Sequence, residues 1–543
     1  MSHATVSDLR AAVEAAVAAL ADGEGPSSEP TLERPKQAEH GDYATNAALL
    51  LAPVLKAPPR DVAERLGLEL EQRLGAALER VEVAGPGFLN LFLSDAWHAE
   101  ALDAILAAGD GYGGGFAQPA LRVLVEFVSA NPTGPLTAAS GRHAAYGDAL
   151  ARILEFAGHT VSREYYFNDA GGQVRRLGES IQARARGEEP PEDGYQGDYV
   201  ADLAAQLPEA ASGDVDAIAA RGVEVLMAGI RSTLEAYRVH FDTWFSERAL
   251  HEGAIERALA QLEAEGHTYR KDDALWLRSS ALGDDKDRVL VKSSGEPTYL
   301  AADVAYHADK LGRGFELLVD VLGADHHGYV ARMRTVMAAL GAEPWQFEAP
   351  ILQFVHVVER GERASMSKRR GDFVTLEELI GEIGVDATRF FMLQRSHDST
   401  VDLDLDLARE QSAENPVYYV QYAHARIASV FRKAGGERVG EALGARNGSP
   451  PALELEEAER LLVKKLLGFG EEVAEAAGRR APHRIAVYAL ELAQVFTAFY
   501  RDCLVVGVEP REREDLRLRL CHATQHTLAR SLGLLGVSAP EEM

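Results

Sequence analysis

Residues 125–148, VEFVSANPTGPLTAASGRHAAYGD, carry a dense set of side chains that could act on a phosphorylated substrate. Hydroxyl groups are present at Thr137 and Ser140, and a guanidinium and an imidazole follow at Arg142 and His143. At the start of a helix the first backbone N–H groups are free and the helix dipole is positive, so phosphate oxygens bind there. The residue types and their spacing therefore predict a nucleotide-binding loop.

A strand and a helix must position that loop. Residues 121–128 (LRVLVEFV) are almost continuously apolar, which is typical of a strand buried on both faces of a parallel sheet. Apolar residues then recur at helical spacing from Tyr146 to Ala157, Gly158 is placed as a C-cap, and Thr160–Phe167 predicts a second strand. The loop of this βαβ unit follows the carboxyl end of its first strand, where open α/β sheets bind ligands.

A second basic segment, SMSKRR at residues 365–370, follows a predicted strand at Ile351–Val358. Lys368, with the neighbouring hydroxyl and arginine side chains, could stabilise the charge that develops on a polyphosphate leaving group. A basic loop taken alone is more often simply solvated. Its position after a second buried strand is what favours the functional interpretation.

These segments resemble signatures of the class I aminoacyl-tRNA synthetases, and specifically of the arginyl-tRNA synthetase family. The family's first signature, SANPTGPLHVGHGR, reads SANPTGPLTAASGR at residues 129–142, and its second, KMSKR, reads SMSKR at residues 365–369. Further family-like segments occur in family order, among them HGDYATN at 40–46, REYYFNDAGGQ at 163–173, VLGADHHGYVAR at 321–332 and ENPVYYVQYAHARI at 414–427. The resemblance implies ATP-dependent formation of arginyl-adenylate, followed by transfer of arginine to the tRNA 3′ end.

The pattern of elements, taken with the resemblance, implies an α/β protein of three domains. An α+β domain that binds the tRNA elbow is expected at residues 1–112, and a Rossmann-like parallel-sheet catalytic domain at residues 113–385. An all-α anticodon-binding domain is expected at residues 386–543, where strand signals vanish. Residues 185–275 are interpreted as a helical insertion between the two halves of the sheet, and residues 434–454 as a loop between helices.

The resemblance assigns arginine binding to five residues: Glu126, Asn131, Tyr299, Asp303 and His326. The chemistry fits, because a guanidinium is a planar fork of donors that requires carboxylate partners. Tyr299 and Asp303 are four residues apart and would share one face of a helix. The alternative for Asp303 is a surface cap or salt bridge.

The ATP site is assigned, by resemblance, to residues of both signatures and of the ADHH segment: Thr137, Ala139, Ser140, Gly323, Asp325, Met366, Ser367 and Lys368. The family's HVGH positions are Thr137–Ser140 here, so both imidazoles are absent. We hypothesise that His143 and Arg142 take over part of the phosphate contact, and that Lys368, Thr137 and Ser140 complete the catalytic set. The alternative for His143 is a solvent-facing helix residue.

For tRNA the expected contacts are Phe88 and Asn90 near the N-terminus and Tyr418, Tyr500 and Met543 near the C-terminus. Aromatic faces stack on unpaired bases, while amides read base edges. The alternative for Phe88 is a core position in a small sheet. Mg²⁺ is expected only with ATP, carried by the phosphates. No protein-bound metal is expected, because adjacent His326 and His327 point in different directions and no third ligand is spaced to match.

Composition limits the remaining function classes. The 543 residues carry a formal charge of −28, which argues against nonspecific nucleic-acid binding but not against a specific RNA site. Two cysteines exclude a disulfide framework, and neither a secretion signal nor a membrane span is indicated, so the cytoplasm is the expected location. A monomer is expected. Two functions stay open: an active arginine–tRNA ligase, and a catalytically silent homologue that binds arginine or tRNA in a regulatory role.

Overall fold

The structure is a computed structural model that describes residues 5–21, 26–35, 37–169, 171–363, 374–444 and 453–543. The first of its three parts packs helices against an antiparallel sheet of order β1-β2-β4-β3. Its elements are α1 (Val6–Leu20), β1 (Leu32–Glu33), β2 (Tyr43–Thr45), α2 (Ala47–Leu55), α3 (Pro59–Leu74), β3 (Leu78–Ala84), β4 (Phe88–Leu93) and α4 (Asp95–Ala108). The mixed helix and sheet composition is the α+β domain that the sequence predicts.

The central part is built on a five-stranded sheet in which every pairing is parallel. The strands in spatial order are β13 (Phe347–Glu348), β11 (Leu317–Asp320), β5 (Arg122–Glu126), β6 (Thr160–Phe167) and β7 (Thr243–Ser246). From β5 the chain runs outward to β6 and β7, then returns to the other side for β11 and β13. The carboxyl ends of β5 and β11 therefore form the switch point at which such sheets bind ligands.

Other elements surround this sheet. The helices are α5 (Ala138–Ala157), α6 (Gly172–Ala185), α7 (Asp198–Gln206), α8 (Val215–Ala236), α9 (Ala254–Ala264), α10 (Tyr299–Gly312), α11 (His327–Ala339) and α12 (Leu376–Leu393). The strands are β8 (Thr268–Lys271), β9 (Ala274–Leu277), β10 (Arg288–Val291), β12 (Leu322–Gly323), β14 (Ile351–Leu352), β15 (Val355–Glu359), β16 (Glu362–Arg363) and β17 (Val401–Asp404). A three-stranded sheet of order β10-β9-β8 stands apart from the main sheet.

The C-terminal part is helical. It comprises α13 (Leu405–Arg409), α14 (Pro416–Ala434), α15 (Gly436–Gly444), α16 (Glu457–Leu467), α17 (Phe469–Gly478), α18 (His483–Asp502) and α19 (Arg511–Leu534). Among the described residues, no helix has the length and apolar character needed to cross a membrane.

Three expectations need correction. The interpretation of residues 185–275 as wholly an insertion is wrong, because β7 pairs with β6 as the edge strand of the main sheet. Strands do not vanish at residue 386, because β17 pairs in parallel with β15. Residues 434–454 are not all loop, because α15 forms there and its buried Ala442 anchors one face.

Helix α5 lies unusually close to β5. Gly147 faces Phe127, and a Cβ at Gly147 would stand 2.1 Å from the Phe127 ring carbon Cγ. The helix therefore passes over the strand end with no room for a side chain at that point. This close approach fixes the N-terminus of α5 above the switch point.

Candidate active site

The carboxyl ends of β5 and β11 bring two carboxylates together. Glu126 and Asp320 are partners in the parallel register of these strands. Lys310, on α10 and completely buried, places its Nζ 2.6 Å from Glu126 Oε2 and 2.8 Å from Asp320 Oδ1. Ser129 donates a hydrogen bond to the other oxygen, Glu126 Oε1, at 2.8 Å. Glu126 is therefore held through both of its oxygens.

Asp303 is the adjacent carboxylate and has a different environment. Among the described residues it has no salt bridge, and its side chain is hydrogen-bonded to the Tyr329 hydroxyl. Burial raises the pKa of the Asp303 carboxyl to about 6, against the favourable influence of His307, and the nearby carboxylates Glu126 and Glu247 add to the rise. The site thus contains a half-buried carboxylate that a cationic ligand could neutralise. A surface cap or salt bridge, the alternative for Asp303, is not what the structure shows.

The other three predicted arginine residues are exposed. Tyr299 is 80% exposed at the first residue of α10, one turn before Asp303. The Asn131 amide donates a hydrogen bond to Gln173 Oε1 at 3.0 Å. The His326 ring is half exposed, with its Nε2 3.6 Å from Asp325 Oδ2 and its ring 5.9 Å from that of Tyr329. Of the three, His326 is connected to the Asp303 site through its ring contact with Tyr329.

Thr137 and Ser140 form the N-terminal cap of α5. Thr137 is the N-cap residue, its hydroxyl accepts the Ser140 N–H at 3.4 Å, and its Oγ1 lies 3.3 Å from Ser140 Oγ. Thr137 is buried, whereas Ala139 is exposed and Ser140 is half-buried. The Ser140 hydroxyl and the exposed face at Ala139 are therefore the parts of this turn that a phosphate can reach.

Arg142 does not face the nucleotide site, and its assignment to phosphate contact is wrong. Its side chain is 2% exposed, and its guanidinium donates hydrogen bonds to the backbone carbonyls of Gln353, Ser396 and Ser399 at 2.7–2.8 Å. Burial lowers the pKa of the group to about 10, so it remains charged at neutral pH. Arg142 binds α5 to the segments that follow β14 and α12.

His143 does face the switch point. A Cβ added at Gly323 would stand 3.8 Å from both Cε1 and Nε2 of His143, and 2.8 Å from Asp325 Oδ1. Burial, with Arg142 nearby, lowers the pKa of the His143 ring to about 4. The ring is therefore neutral at physiological pH and can donate or accept a hydrogen bond without bringing charge. The solvent-facing alternative is wrong, because the ring packs beside Gly323.

The second signature, with Ser365, Met366, Ser367 and Lys368, lies in residues 364–373, outside the described residues. Its assigned contact with phosphate therefore stays a prediction.

The two predicted tRNA contacts of the first domain differ in their exposure to solvent. Phe88 begins β4 next to a turn and is 41% exposed, so the core alternative for it is wrong. Asn90 lies in the middle of β4, paired with β2 and β3, and is only 5% exposed. Burial removes most of the Asn90 amide from the surface, which corrects its assignment as a reader of base edges.

The aromatic residues of the helical part line a cavity between α14 and α18 of about 340 Å³. Tyr418 and Tyr422 stack with ring centroids 6.0 Å apart, and the Arg426 guanidinium lies 4.7 Å from the Tyr422 ring centroid and 5.1 Å from that of Tyr500. The structure thus brings Tyr418 and Tyr500 together. Met543, 53% exposed, lines an adjoining cavity with Tyr418.

Comparison with known proteins supplies the family. The model of the arginyl tRNA synthetase N terminal domain matches residues 7–93, and that of the DALR anticodon binding domain matches residues 420–543. The arginine–tRNA ligase of Frankia alni is 48% identical, over 99% of this chain and 100% of that protein. The chain belongs to the arginyl-tRNA synthetase family.

Further similarities support the same family assignment. The arginine–tRNA ligase of Shouchella clausii is 46% identical over 94% of this chain and 94% of that protein. The solved structure of the Thermus thermophilus arginyl-tRNA synthetase has a TM-score of 0.76 and 27% identity, and covers 98% of this chain and 100% of that chain. None of these findings supports the silent homologue.

Sequence reasoning missed several groups of this synthetase site. They surround Glu126 and Asp303 and are Tyr166, Glu247, His307, Lys310, Asp320 and Tyr329. The spacing of Asp303, His307 and Lys310 at i, i+4 and i+7 is a signal that could have identified one helix face. Glu247, 8% exposed and hydrogen-bonded by Tyr166 at 2.7 Å, carried no such signal because its segment was interpreted as an insertion.

One group of potential metal ligands occurs far from the switch point among the described residues: Glu456, Glu459 and Cys503. Arg517 already contacts both carboxylates, with Nη2 2.6 Å from Glu456 Oε1 and Nε 2.7 Å from Glu459 Oε1. Because the negative charge is already neutralised, this group is a structural ion-pair cluster and offers little to a cation.

Proposed function

We propose that the protein is an arginine–tRNA ligase that converts L-arginine, ATP and tRNA to arginyl-tRNA, AMP and pyrophosphate. In the first step an arginine carboxylate oxygen attacks the α-phosphorus of ATP and pyrophosphate leaves. In the second step a terminal ribose hydroxyl of tRNA attacks the acyl carbon and AMP leaves. Membership of the family supports this reaction. The observation that carries the assignment to arginine is the half-buried Asp303 carboxylate beside Glu126, which has no salt bridge among the described residues.

The pocket's chemistry favours a guanidinium over other side chains. A guanidinium offers five N–H donors in a plane, enough to reach both Asp303 and Glu126. A substrate without those donors leaves the Asp303 carboxylate without a charged partner. A site built this way rejects the wrong amino acid by factors of roughly 10⁴–10⁵ without an editing step. We expect Tyr299 to contribute to the side-chain pocket with Glu126 and Asp303, Asn131 to help hold the amino acid, and His326 to line the arginine end.

The ATP phosphates belong at the N-terminus of α5. Free N–H groups and the helix dipole favour anions there, and the Ser140 hydroxyl is half-buried beside them. Gly323 leaves space for the nucleotide near His143 and Asp325. Mg²⁺ enters with ATP and is carried by its phosphates. Lys368 of the second signature, outside the described residues, completes the site by stabilising charge on the departing pyrophosphate.

His143 is the residue of this chain that replaces part of the missing HVGH function. It lies one helical turn after Ser140 and its ring faces Gly323. A neutral ring can supply one hydrogen bond to a phosphate oxygen. Loss of one such donor costs roughly 10²–10³ in rate when it acts only in the transition state. His143→Ala is therefore expected to slow ATP–pyrophosphate exchange, and an unaltered exchange rate would remove His143 from the mechanism.

For tRNA, the cavity of Tyr418, Tyr422 and Tyr500 is proposed to take an anticodon base. The aromatic faces allow stacking, and Arg426 adds a positive charge at the rim. Met543 at the adjoining cavity, and Phe88 on the first domain, are proposed as further RNA contacts. We propose that the enzyme acts as a monomer in the cytoplasm.

The test is ATP–pyrophosphate exchange with each of the amino acids, with and without tRNA. The family requires bound tRNA for activation, so exchange is expected with arginine only when tRNA is present. Exchange that depends on another amino acid would contradict the arginine assignment. Absence of exchange with arginine, while tRNA still binds, would favour the silent homologue instead.

A further inference from the structure

One face of α10 carries a chain of buried charges next to the arginine pocket. Asp303, His307 and Lys310 are spaced at i, i+4 and i+7, so they lie on the same side of the helix. Lys310 contacts Glu126 and Asp320, and His307 Nε2 lies 2.9 Å from Asp320 Oδ2. The two strand-end carboxylates are thus linked to the helix through two potential cations.

His307 joins the backbone of α10 to a strand-end carboxylate. His307 Nδ1 lies 2.8 Å from the Asp303 carbonyl oxygen, and Nε2 faces Asp320, so both ring nitrogens face acceptors. Lys310 is the cation that contacts both Glu126 and Asp320. Asp303 is the carboxylate of this group that has no salt bridge among the described residues.

The turn after β5 also acts on Glu126. Val128 has φ of 69° and Ser129 has φ of 40°, a left-handed conformation that side chains rarely adopt and that is unusual for a β-branched residue. This turn directs the Ser129 hydroxyl at Glu126 Oε1 while the same oxygen of Ser129 accepts the Tyr166 N–H at 3.2 Å. The strained turn therefore positions the Ser129 hydroxyl so that its hydrogen bond orients the Glu126 carboxylate.

We propose that Lys310 is a positioning residue for arginine: its buried ammonium keeps Glu126 ionised and fixed in direction, leaving Asp303 to supply the free negative charge. This proposal rests on the proposed function. Lys310 itself is fully buried, and its salt bridges are with Glu126 and Asp320. It acts through Glu126, to which it donates a charge-assisted hydrogen bond, with Asp320 as the second acceptor that holds the ammonium in place.

The electrostatics agree with this role. Burial raises the pKa of the Glu126 carboxyl above its ordinary value, and Lys310 and Ser129 both act against that rise. The titratable groups facing Glu126 are Lys310, Asp303, Asp320 and the hydroxyls of Tyr166, Tyr306 and Tyr329. Without the ammonium, burial and the remaining carboxylates would drive Glu126 to the protonated form, which binds a guanidinium poorly.

The experiment compares Lys310→Met with Arg313→Met by steady-state aminoacylation between pH 6 and 9. Arg313 is the matched control, because it is the C-cap of the same helix and also pairs with a buried carboxylate. Its Nη1 and Nη2 donate hydrogen bonds to the two oxygens of Glu164 at 2.6 and 2.9 Å. We expect Lys310→Met to raise the KM for arginine about tenfold or more, most at low pH, because Glu126 becomes protonated. The KM for ATP should change less than about twofold, and Arg313→Met should lower stability without raising the arginine KM.

Equal changes in the KM for arginine and ATP, or an arginine KM that Lys310→Met leaves unaltered, would overturn the proposal. Combination with Glu126→Gln gives a further check: Lys310→Met should then add little, whereas additive effects would contradict action through Glu126. If Lys310→Met does not fold, Ser129→Ala tests the other contact and should raise the arginine KM about threefold; no rise would count against positioning. A wild-type protein that charges no arginine would instead refute the proposed function.

Discussion

Asp303 differs from the carboxylates around it because the folded chain gives it a hydroxyl partner and no cation among the described residues. A buried carboxylate in that situation is costly unless a ligand supplies the charge. Glu126, whose charge acts on Asp303, is already paired with Lys310. The two carboxylates therefore contribute differently. Glu126, held in place by Lys310, orients the guanidinium, whereas Asp303 supplies the negative charge that the guanidinium neutralises.

Arginine affinity should depend on pH through Asp303. Its carboxyl has a pKa of about 6 in the free protein, raised by burial, with His307, Tyr329, Glu126 and Glu247 facing it. A guanidinium binds the ionised form, so affinity is complete well above pH 6 and falls as pH decreases through 6, by roughly tenfold per unit. Titration calorimetry of arginine from pH 5 to 8 measures this. A dissociation constant that does not change between pH 5 and 7 would contradict it, and Asp303→Asn is the control that should lose the pH dependence.

Arg142 and His143 are neighbours with opposite expected effects. Arg142→Met leaves three backbone carbonyls without their charged donor, so we expect a loss of about 3 kcal/mol or more in the free energy of unfolding. His143→Ala should cost about 1 kcal/mol or less and act on the rate of ATP–pyrophosphate exchange. Urea unfolding and exchange kinetics on both variants test the pair; a reversal of the two effects would contradict the assignment.

At this scale the sequence could identify carboxylates but not their partners. Glu126 and Asp303 were found because a family motif contains them. Lys310 comes from α10 and Asp320 from β11, so their contact with Glu126 depends on the strand register and on helix packing. Arg142 was misassigned because sequence spacing alone does not decide between a phosphate and three carbonyl oxygens as its acceptors.

Helix α5 is the element that connects the sheet with both substrate sites. Its N-terminus starts above the switch point, and its middle touches β5 at Gly147, where a Cβ would stand 2.1 Å from the Phe127 ring. Phe127 directly follows Glu126 in the chain. Any displacement of α5 from the strand would therefore also displace the end of β5.

Gly147→Ala should consequently damage both stability and arginine binding. The added methyl cannot be accommodated without a shift of Phe127 or of α5, and overpacking of this kind typically costs about 1–3 kcal/mol. Thermal unfolding and the arginine KM are the two measurements. The control is Gly229→Ala on α8, where a Cβ meets nothing within 4 Å; it should be neutral or slightly stabilising. An unaffected melting temperature for Gly147→Ala would contradict the close packing.

Elements with strong patterns were predictable and short ones were not. The apolar run at 121–128 gave β5, and the helical periodicity up to Gly158 gave α5. Strand β7 has only four residues and joins the sheet by pairing with β6, which no local pattern shows. The sequence of helix α15 is rich in glycine and charge, a composition that favours a loop, and only packing of its buried Ala442 reveals the helix.

On the scale of the whole molecule, salt bridges of partly buried side chains connect the first domain to the helical domain. Asp42 contacts Lys464 of α16 and lies 3.7 Å from His98 Nε2, while its Oδ2 accepts the Leu93 N–H at 2.7 Å. Arg460 of α16 contacts Asp95 at 2.6 Å. A tRNA that touches both the first and the helical domain would therefore meet surfaces held at a defined separation.

Acid should loosen this interface. Burial alone would raise the pKa of Asp42, but His98, Lys464 and the Leu93 N–H bring it down to about 2. A lowered acid pKa stabilises the fold above the ordinary value near 4, and this contribution, about 2–3 kcal/mol, is lost as pH falls from 4 towards 2. Asp42→Asn should remove that part of the acid dependence of unfolding. An acid titration of stability that is identical in wild type and variant would contradict it.

The central claim is that this chain, with Thr137–Ser140 in place of the HVGH residues, still attaches arginine to tRNA through Asp303. The most direct measurement is the yield of arginine esterified to tRNA, determined with wild type and with Asp303→Asn under saturating ATP. We predict that wild type charges tRNA with arginine and that the variant needs at least about a hundredfold more arginine for the same rate. Wild type that leaves tRNA uncharged, or a variant as effective as wild type, would contradict the account.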